Sequence, residues 1–356
     1  MIRVFKVEGE HFMLRYHQVG LALSTTVTAM LLAGGCSGSS QFGSAIAPFS
    51  PVSQQQQSGS RATVQNARSG SVLASTFGPK SNKAMTYVSV IGGTTVYGYR
   101  SDNQANHPPV CTVGPFVSVN GGIGVDQSGN LWVPDQGANP KTVTEYGPDC
   151  GRAKTVLTIS GDTLPDNVAF DTIGHVYVSN AVANSGGPGD ILQYTGTTVT
   201  KTLTDPDIAT PQGLAIDELN NVWVSYRDPG STGTYVAKFP GGNMPAKLFH
   251  NIALGFPGSL QFDQSKNMLA LAPGVPAMYI YAPPYKQKKP TAQLPLQNAP
   301  TMCTLGRAQT KLYCSNGFFS KVDIYTYPTG SYRYSYNNGL SGLNPDGIAN
   351  DPAPRN

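Results

Sequence analysis

From about residue 84 onward the chain alternates apolar and polar positions in short runs separated by Gly, Asn and Asp turns. That period of two is the signature of half-buried β-strands. The runs recur as a block: Pro-x-x-apolar-x-apolar-Asp, a turn, then apolar-aromatic-Val. Pro165 to Asp171 leads to Val176-Tyr177-Val178-Ser179, and Pro211 to Asp217 leads to Val222-Trp223-Val224-Ser225. Pro257 to Asp263 leads to Met268-Leu269-Ala270, and Gly121 to Asp126 leads to Leu131-Trp132-Val133. A weaker copy runs from Pro300 to Gly306, with Leu312-Tyr313-Cys314 after it. The turn anchors fall at 126, 171, 217, 263 and 306, in steps of 45, 46, 46 and 43 residues. Each block is followed by Val/Ile/Met-x-x-Tyr/Phe: Val143 to Tyr146, Ile191 to Tyr194, Val236 to Phe239, Met278 to Tyr281 and Val322 to Tyr325. Three such strands and a variable fourth, at about 45 residues per unit, predict the blade of a β-propeller.

The two ends of the repeat region complete one another. Pro345 to Asp351 matches the first strand of a blade, with no second strand after it. Thr86 to Ser89 matches a second strand and Val96 to Tyr99 a third, with no first strand before them. Pairing the C-terminal strand with the N-terminal blade closes a ring and removes an exposed strand edge. The expectation is an all-β, six-bladed propeller of four-stranded blades over residues 84–351, with 352–356 as a tail.

With these residues in place, the chain resembles NHL-repeat-type six-bladed propellers, the group that includes streptogramin lyases. The form Pro-x-Gly-apolar-Ala-apolar-Asp-x-x-Gly/Asn-Asn-apolar-aromatic-Val-Ser carries the resemblance, over about residues 84–351. It implies a fold more than an activity, because one fold hosts lactonases, lyases, adhesion modules and inert scaffolds.

Composition narrows the classes. Charged residues make up 12 % of the chain, about half the usual share, which excludes long helices and coiled coils. The formal net charge of +4 is too small for a disordered charged tail and, with scattered Lys and Arg, gives no nucleic-acid footprint. The 40 Gly and 28 Pro largely mark the turns and the blade starts.

The N-terminal segment reads as an address. Arg3, Lys6 and Arg15 precede an apolar stretch from Val19 to Leu32, followed by Ala33-Gly34-Gly35-Cys36. This is the layout of an export signal. Glu8 and Glu10 fit its basic part poorly, and Met13 is an alternative start. The segment resembles a bacterial lipoprotein signal peptide (residues 1–35) with Ala33 where the usual Leu stands. The resemblance implies lipidation of Cys36, a membrane partner through that anchor and, with Ser37 next, the outer membrane of the cell envelope. Residues 36–83 are rich in Ser, Gly and Gln, the composition of a flexible tether.

Four further cysteines, Cys111, Cys150, Cys303 and Cys314, allow three pairings. With the turn centred between Ala308 and Gln309, Cys303 and Cys314 lie directly opposite on adjacent strands, within disulfide range. Cys111 and Cys150 then pair by elimination, joining the outer strands of neighbouring blades.

Candidate chemistry is sparse. Beyond Cys36 the chain has two Glu, Glu145 and Glu218, and three His, His107, His175 and His250. His175 stands in a turn where other blades carry Asn. Streptogramin lyases use His and Glu around a metal, and no such pair can be placed here. Asp126, Asp171, Asp217 and Asp263 are read as turn openers that accept backbone N–H bonds. The starts of first strands should face the central channel and carry Asp166, Gln212, Asp346 and, in the second blade, Asn120. Two carboxylates with amide oxygens suit Ca²⁺. Calcium-bound gluconolactonase and regucalcin-type propellers hold such an ion with a set that includes Glu, which is lacking here. Tyr332, Tyr334 and Tyr336 alternate along one strand as a candidate stacking surface for sugars or peptides. Lys286-Gln287-Lys288-Lys289 is a basic loop tip able to meet anionic envelope polymers. No catalytic residue is assigned. The reading favoured is an envelope lipoprotein whose propeller binds a protein or glycan partner. The alternative is a metal-dependent lactonase or lyase at the channel.

Overall fold

The structure is a computed structural model and describes residues 84–101, 106–160, 163–182, 188–230 and 233–351. The signal, Cys36, the tether and the tail lie outside the described residues. Six four-stranded antiparallel sheets are arranged as the blades of a propeller. Blade one is Pro345–Asn350, Met85–Val90, Val96–Arg100 and Cys111–Val113, in that order from the inside. The register Thr86↔Asn350, Tyr87↔Ala349 and Val88↔Ile348 closes the ring with the C-terminal strand, as the repeat predicts. Blades two to six begin with inner strands Gly124–Val125, Thr163–Phe170, Thr210–Ile216, Leu260–Phe262 and Met302–Leu305. Among the described residues no helix is long and apolar enough to cross a membrane.

The core follows from the period-two pattern. Both faces of each sheet are covered by the next blade, so the apolar side chains collect at the interfaces rather than in one central core. Six buried clusters correspond to the six interfaces. Trp132, Val143 and Leu157 meet Val168, Val178 and Tyr194 between blades two and three. Trp223 and Phe249 meet Leu260 and Met268 between blades four and five.

The conserved-looking spacing of the block also builds its turns. Asp217 accepts from the N–H groups of Leu219 and Asn221 (3.0 Å each) and from the indole Nε1 of Trp223 at 2.8 Å. Asp126 does the same for Ser128, Asn130 and Trp132. Asp and the aromatic six residues later are thus one unit, which explains why both recur. His175 completes the turn of blade three, with Nδ1 2.6 Å from Asp171 Oδ2.

Near the axis a second device joins the blades. A serine within the second strand accepts from an inner-strand N–H of its own blade and donates to an inner-strand carbonyl of the next. Ser225 Oγ accepts from Gly213 N at 3.0 Å and donates to Gly258 O at 2.7 Å. Ser179 bridges Asn167 N and Gln212 O, at 3.0 and 2.8 Å. Ser89 and Ser315 repeat the bridge across the closure of the ring. Inner strands approach so closely here that a Cβ on Gly213 would lie 1.8 Å from Gly258 O, which only glycine avoids.

Both disulfides are present. Cys303 and Cys314 are direct register partners with Cα atoms 4.1 Å apart. Cys111 bonds Cys150 across blades one and two, with Cα atoms 6.0 Å apart. Cys150 sits in the turn before the outer strand Ala153–Ile159 rather than within a strand, a correction to the expected strand-to-strand link.

Removing one serine hydroxyl leaves a buried N–H and a buried carbonyl without a partner. Ser225→Ala is expected to lower stability by about 1–3 kcal/mol in chemical denaturation. Ser265→Ala, at an exposed turn tip, should stay within about 0.5 kcal/mol of the parent.

Candidate functional site

The inner strands run from a narrow end, where Asp166 and Asp346 sit, to a wide end at the first-to-second-strand turns. A bulge sets the narrow end. In blade three the register skips between Pro165 and Asn167, and in blade four between Pro211 and Leu214. Blade one shifts between Val88 and Val90, opposite Ile348 and Pro345. The residues passed over are Asp166 in blade three, Gln212 with Gly213 in blade four and Asp346 with Gly347 in blade one, so Asp166, Gln212 and Asp346 are released from the ladder. Bulges commonly re-aim a side chain in this way.

Blade two places Gly121, not Asn120, at this position, which corrects the sequence expectation. Asn120 instead ties loops together, its Oδ1 accepting from Gly92 N at 2.7 Å and its Nδ2 donating to Gln136 Oε1 at 3.3 Å. Gly121 stands between the two carboxylates. Its N–H donates to Asp346 Oδ2 at 2.8 Å, and a Cβ on it would lie 2.4 Å from Asp166 Oδ1. Gly122 N donates to Asp166 O at 2.6 Å. The carboxylates of blades one and three therefore close over the glycine pair of blade two. Gln212 Oε1, at the corresponding position of blade four, is buried without a hydrogen-bond partner.

Loss of water contact, with the Asp346 charge as the second cause, pushes the Asp166 carboxyl up to about 7. Burial also raises Asp346, against which the Gly121 N–H works. Among the described residues no three His, Cys, Asp or Glu side chains form a metal-sized group. A hard cation here would take the two carboxylates and the Gln212 amide oxygen, a donor set that fits Ca²⁺ chemistry.

The wide end is a different environment. A cavity of about 890 Å³ follows the axis and opens at the turns. Its wall includes Asn167, Ser259, Gln261, Thr304 and Asn350, with Gln264 and Gln309 at the rim, but not Asp166, Gln212 or Asp346. Several wall amides already serve the inner edge of blade six. Gln261 Oε1 accepts from Leu305 N at 2.7 Å, and Asn350 Nδ2 donates to Leu305 O at 3.3 Å. Gln261 Nε2 is buried without a partner. The repeat gives no sign of this wall, because Gln261 stands where blade four carries Ala215, and Asn350 where the neighbouring blades carry the apolar Leu305 and Val125.

The three tyrosines do not share one face. The register shifts between Ile324 and Tyr325, so Tyr334 lies opposite Ile324 and Tyr332 opposite Tyr325. Partners of adjacent residues point to opposite sides of a sheet. Tyr332 is 39 % exposed, while Tyr336 is buried and stacks on Tyr99 with centroids 5.5 Å apart. The other histidines pack on rings, His107 against Tyr336 at 5.3 Å and His250 against Tyr235 at 4.8 Å.

No protein-family description and no curated protein sequence matches the chain. Among solved structures it is similar to a chain of a nidogen/laminin complex, at 13 % identity and a TM-score of 0.58, covering 75 % of this chain and 98 % of that one. A protein of unknown function from Bacteroides caccae aligns over the same shares at 10 % identity and a TM-score of 0.56. At these identities the likeness is one of fold.

A carboxyl whose folded pKa is raised binds its proton more tightly in the folded than in the unfolded chain. Its contribution is therefore greatest in acid and is lost as pH rises from about 4 through 7. Asp166→Asn is expected to raise the melting temperature at pH 8 by a few degrees, with little change at pH 4. A pH series of thermal melts reads the difference.

Proposed function

We propose that the chain is an exported lipoprotein of the bacterial cell envelope, held in the outer membrane through Cys36. Its NHL-type propeller is a binding scaffold for a protein or glycan partner. The observation that carries the reading is the axial cavity, whose wall combines side-chain amides, the hydroxyls of Ser259 and Thr304 and apolar side chains, with the charged Asp217, Glu218, Asp263, Lys238 and Lys266 also in its lining. Such walls recognise a partner by shape and a few directed hydrogen bonds. Most groups suited to proton transfer already have structural partners: Asp126, Asp171, Asp217 and Asp263 in their turns, His175 in the turn of Asp171, and His107 and His250 on tyrosine rings. A chain of similar fold was solved within a nidogen/laminin complex, so there the architecture is part of a protein–protein assembly.

A second reading, a metal-dependent lactonase or lyase, draws on the narrow end. There Asp166, Asp346 and the unpartnered Gln212 Oε1 supply oxygen ligands. A cation bound there would be held by these oxygens and would polarise a substrate carbonyl.

The two readings separate in one set of measurements. A photo-crosslinker at Gln264 is expected to capture the same partner repeatedly from envelope fractions, and one at the outer-strand Val156 is not. Purified protein should leave a panel of lactones unhydrolysed in the presence of Ca²⁺. Stoichiometric metal that disappears in Asp166→Ala, together with metal-dependent lactone hydrolysis, would establish the second reading instead. Cys36→Ser should move the protein from the membrane to the soluble fraction.

A further inference from the structure

The basic loop tip of blade five is a built surface. Residues 282–291 connect the strands Ala277–Tyr281 and Ala292–Pro295 on the turn side of the ring. Tyr285, at φ 62°, reverses the chain and turns its ring against Trp223, 5.1 Å between centroids. Its hydroxyl donates to Lys266 O at 2.6 Å, fixing the loop to the neighbouring turn. From blade four, Asn251 Nδ2 donates to the carbonyls of Tyr285 and Gln287, at 3.1 and 3.0 Å. The Gln287 side chain folds inward, its Nε2 donating to Ala282 O at 2.9 Å. With the backbone and Gln287 held from inside, Lys286, Lys288 and Lys289 are left exposed on the outside.

Nearby charge does not cancel them. Among the described residues Glu218 pairs with Lys266, and no ion pair forms to Lys286, Lys288 or Lys289. Asp217 and Asp263 are turned into their own backbone turns. On the same side of the ring the adjoining turn tips present Leu219 and Ile173, each 72 % exposed, and the next loop presents Met244, 56 % exposed. The tips are linked, since Thr172 N donates to Asn220 Oδ1 at 3.1 Å and Glu218 bridges to Lys266. The opposite side carries Asp166, Asp346, Asp205, Asp207 and Asp228. The turn side thus combines three lysines outside any ion pair with exposed apolar tips, while the opposite side carries these aspartates together with the exposed Phe318 and Phe319 of blade six.

We infer that the turn side of the propeller, centred on Lys286, Lys288 and Lys289, docks on a lipid bilayer containing anionic headgroups. The lysines meet the headgroups while Leu219, Ile173 and Met244 enter the interfacial layer. Lysines near an anionic surface contribute about 1 kcal/mol each, and apolar side chains at the interface add to that. The opposite side faces away, leaving the narrow end of the channel accessible. This docking does not depend on acylation of Cys36, nor on which reading of the axial site holds.

The test uses the full chain carrying Cys36→Ser, so that no acyl chain contributes, with co-sedimentation on two kinds of vesicle. One is phosphatidylcholine alone, and the other contains about one-third phosphatidylglycerol. The protein should partition more strongly to the anionic vesicles, and high salt should remove the excess, because surface charges are screened within a few ångströms at about 1 M. Lys286→Gln/Lys288→Gln/Lys289→Gln should lower partitioning to anionic vesicles about fivefold per lysine, on the order of a hundredfold in all. Its partitioning to neutral vesicles should stay unchanged. Its melting temperature should match the parent, since the three side chains are exposed. Equal partitioning of parent and triple variant to anionic vesicles would overturn the proposal, as would a parent that does not distinguish the two vesicles.

Discussion

The ring depends on one small interaction, a serine hydroxyl that accepts a hydrogen bond from its own blade and donates one to the next. Propeller blades are held face to face by apolar side chains, and apolar contact is non-directional. Something else must fix how far each blade is rotated against its neighbour. Ser225 does so by joining Gly213 N to Gly258 O within the buried zone nearest the axis. A hydrogen bond there is costly to leave unmade and tolerates little rotation. Ser89, Ser179 and Ser315 repeat the arrangement.

In blades one, three and four that bridge coincides with the bulge, and the bulge makes the axial site. There the inner-strand N–H meets its serine beside an interrupted ladder, whereas in blade six Ser315 takes the N–H of Met302 in unbroken register. The residue passed over by the interruption is Asp166, Gln212 or Asp346. The local irregularity that locks the blades therefore also turns polar side chains to the axis, and structural and functional roles share one backbone feature. The Asp turns work at the other end of the same strands, where each carboxylate is enclosed by the amides of its own turn. The result is a channel with carboxylates at its narrow end and neutral amides at its wide end, although aspartate is present at both.

Much of this was legible in the sequence, and the exceptions have definable causes. The repeat, the blade count and the closing strand followed from spacing, because a twofold period and a recurring Asp-to-aromatic interval leave little freedom. The Cys303–Cys314 register followed from the position of one turn. The axial position of blade two falls on Gly121 and not Asn120, because this blade has no Pro to mark where the inner strand begins. Tyr332, Tyr334 and Tyr336 alternate perfectly in sequence, yet one shift beside Tyr325 puts Tyr332 and Tyr334 on opposite faces. Bulges of that kind leave no mark in the apolar pattern. The cavity wall was also invisible, since Gln261 and Asn350 depart from the repeat in single blades and only the ring brings them together.

The departures from the serine rule are not scattered. Pro134 in blade two and Leu271 in blade five stand where the other blades carry Ser, and these two blades lie opposite one another across the axis. Each break is met differently. Between blades two and three the Asp166 carbonyl takes a direct bond from Gly122 N at 2.6 Å, which draws the Asp166 side chain over Gly121. Between blades five and six, Ser259 Oγ and Gln261 Oε1 accept from Cys303 N and Leu305 N, so side chains substitute for the missing hydroxyl. The first break places a carboxylate at the narrow end and the second places amides in the wall of the wide end. Loss of a repeated structural contact is therefore where this otherwise regular ring acquires its two chemically distinct surfaces, and the candidate sites arise from the exceptions to the repeat.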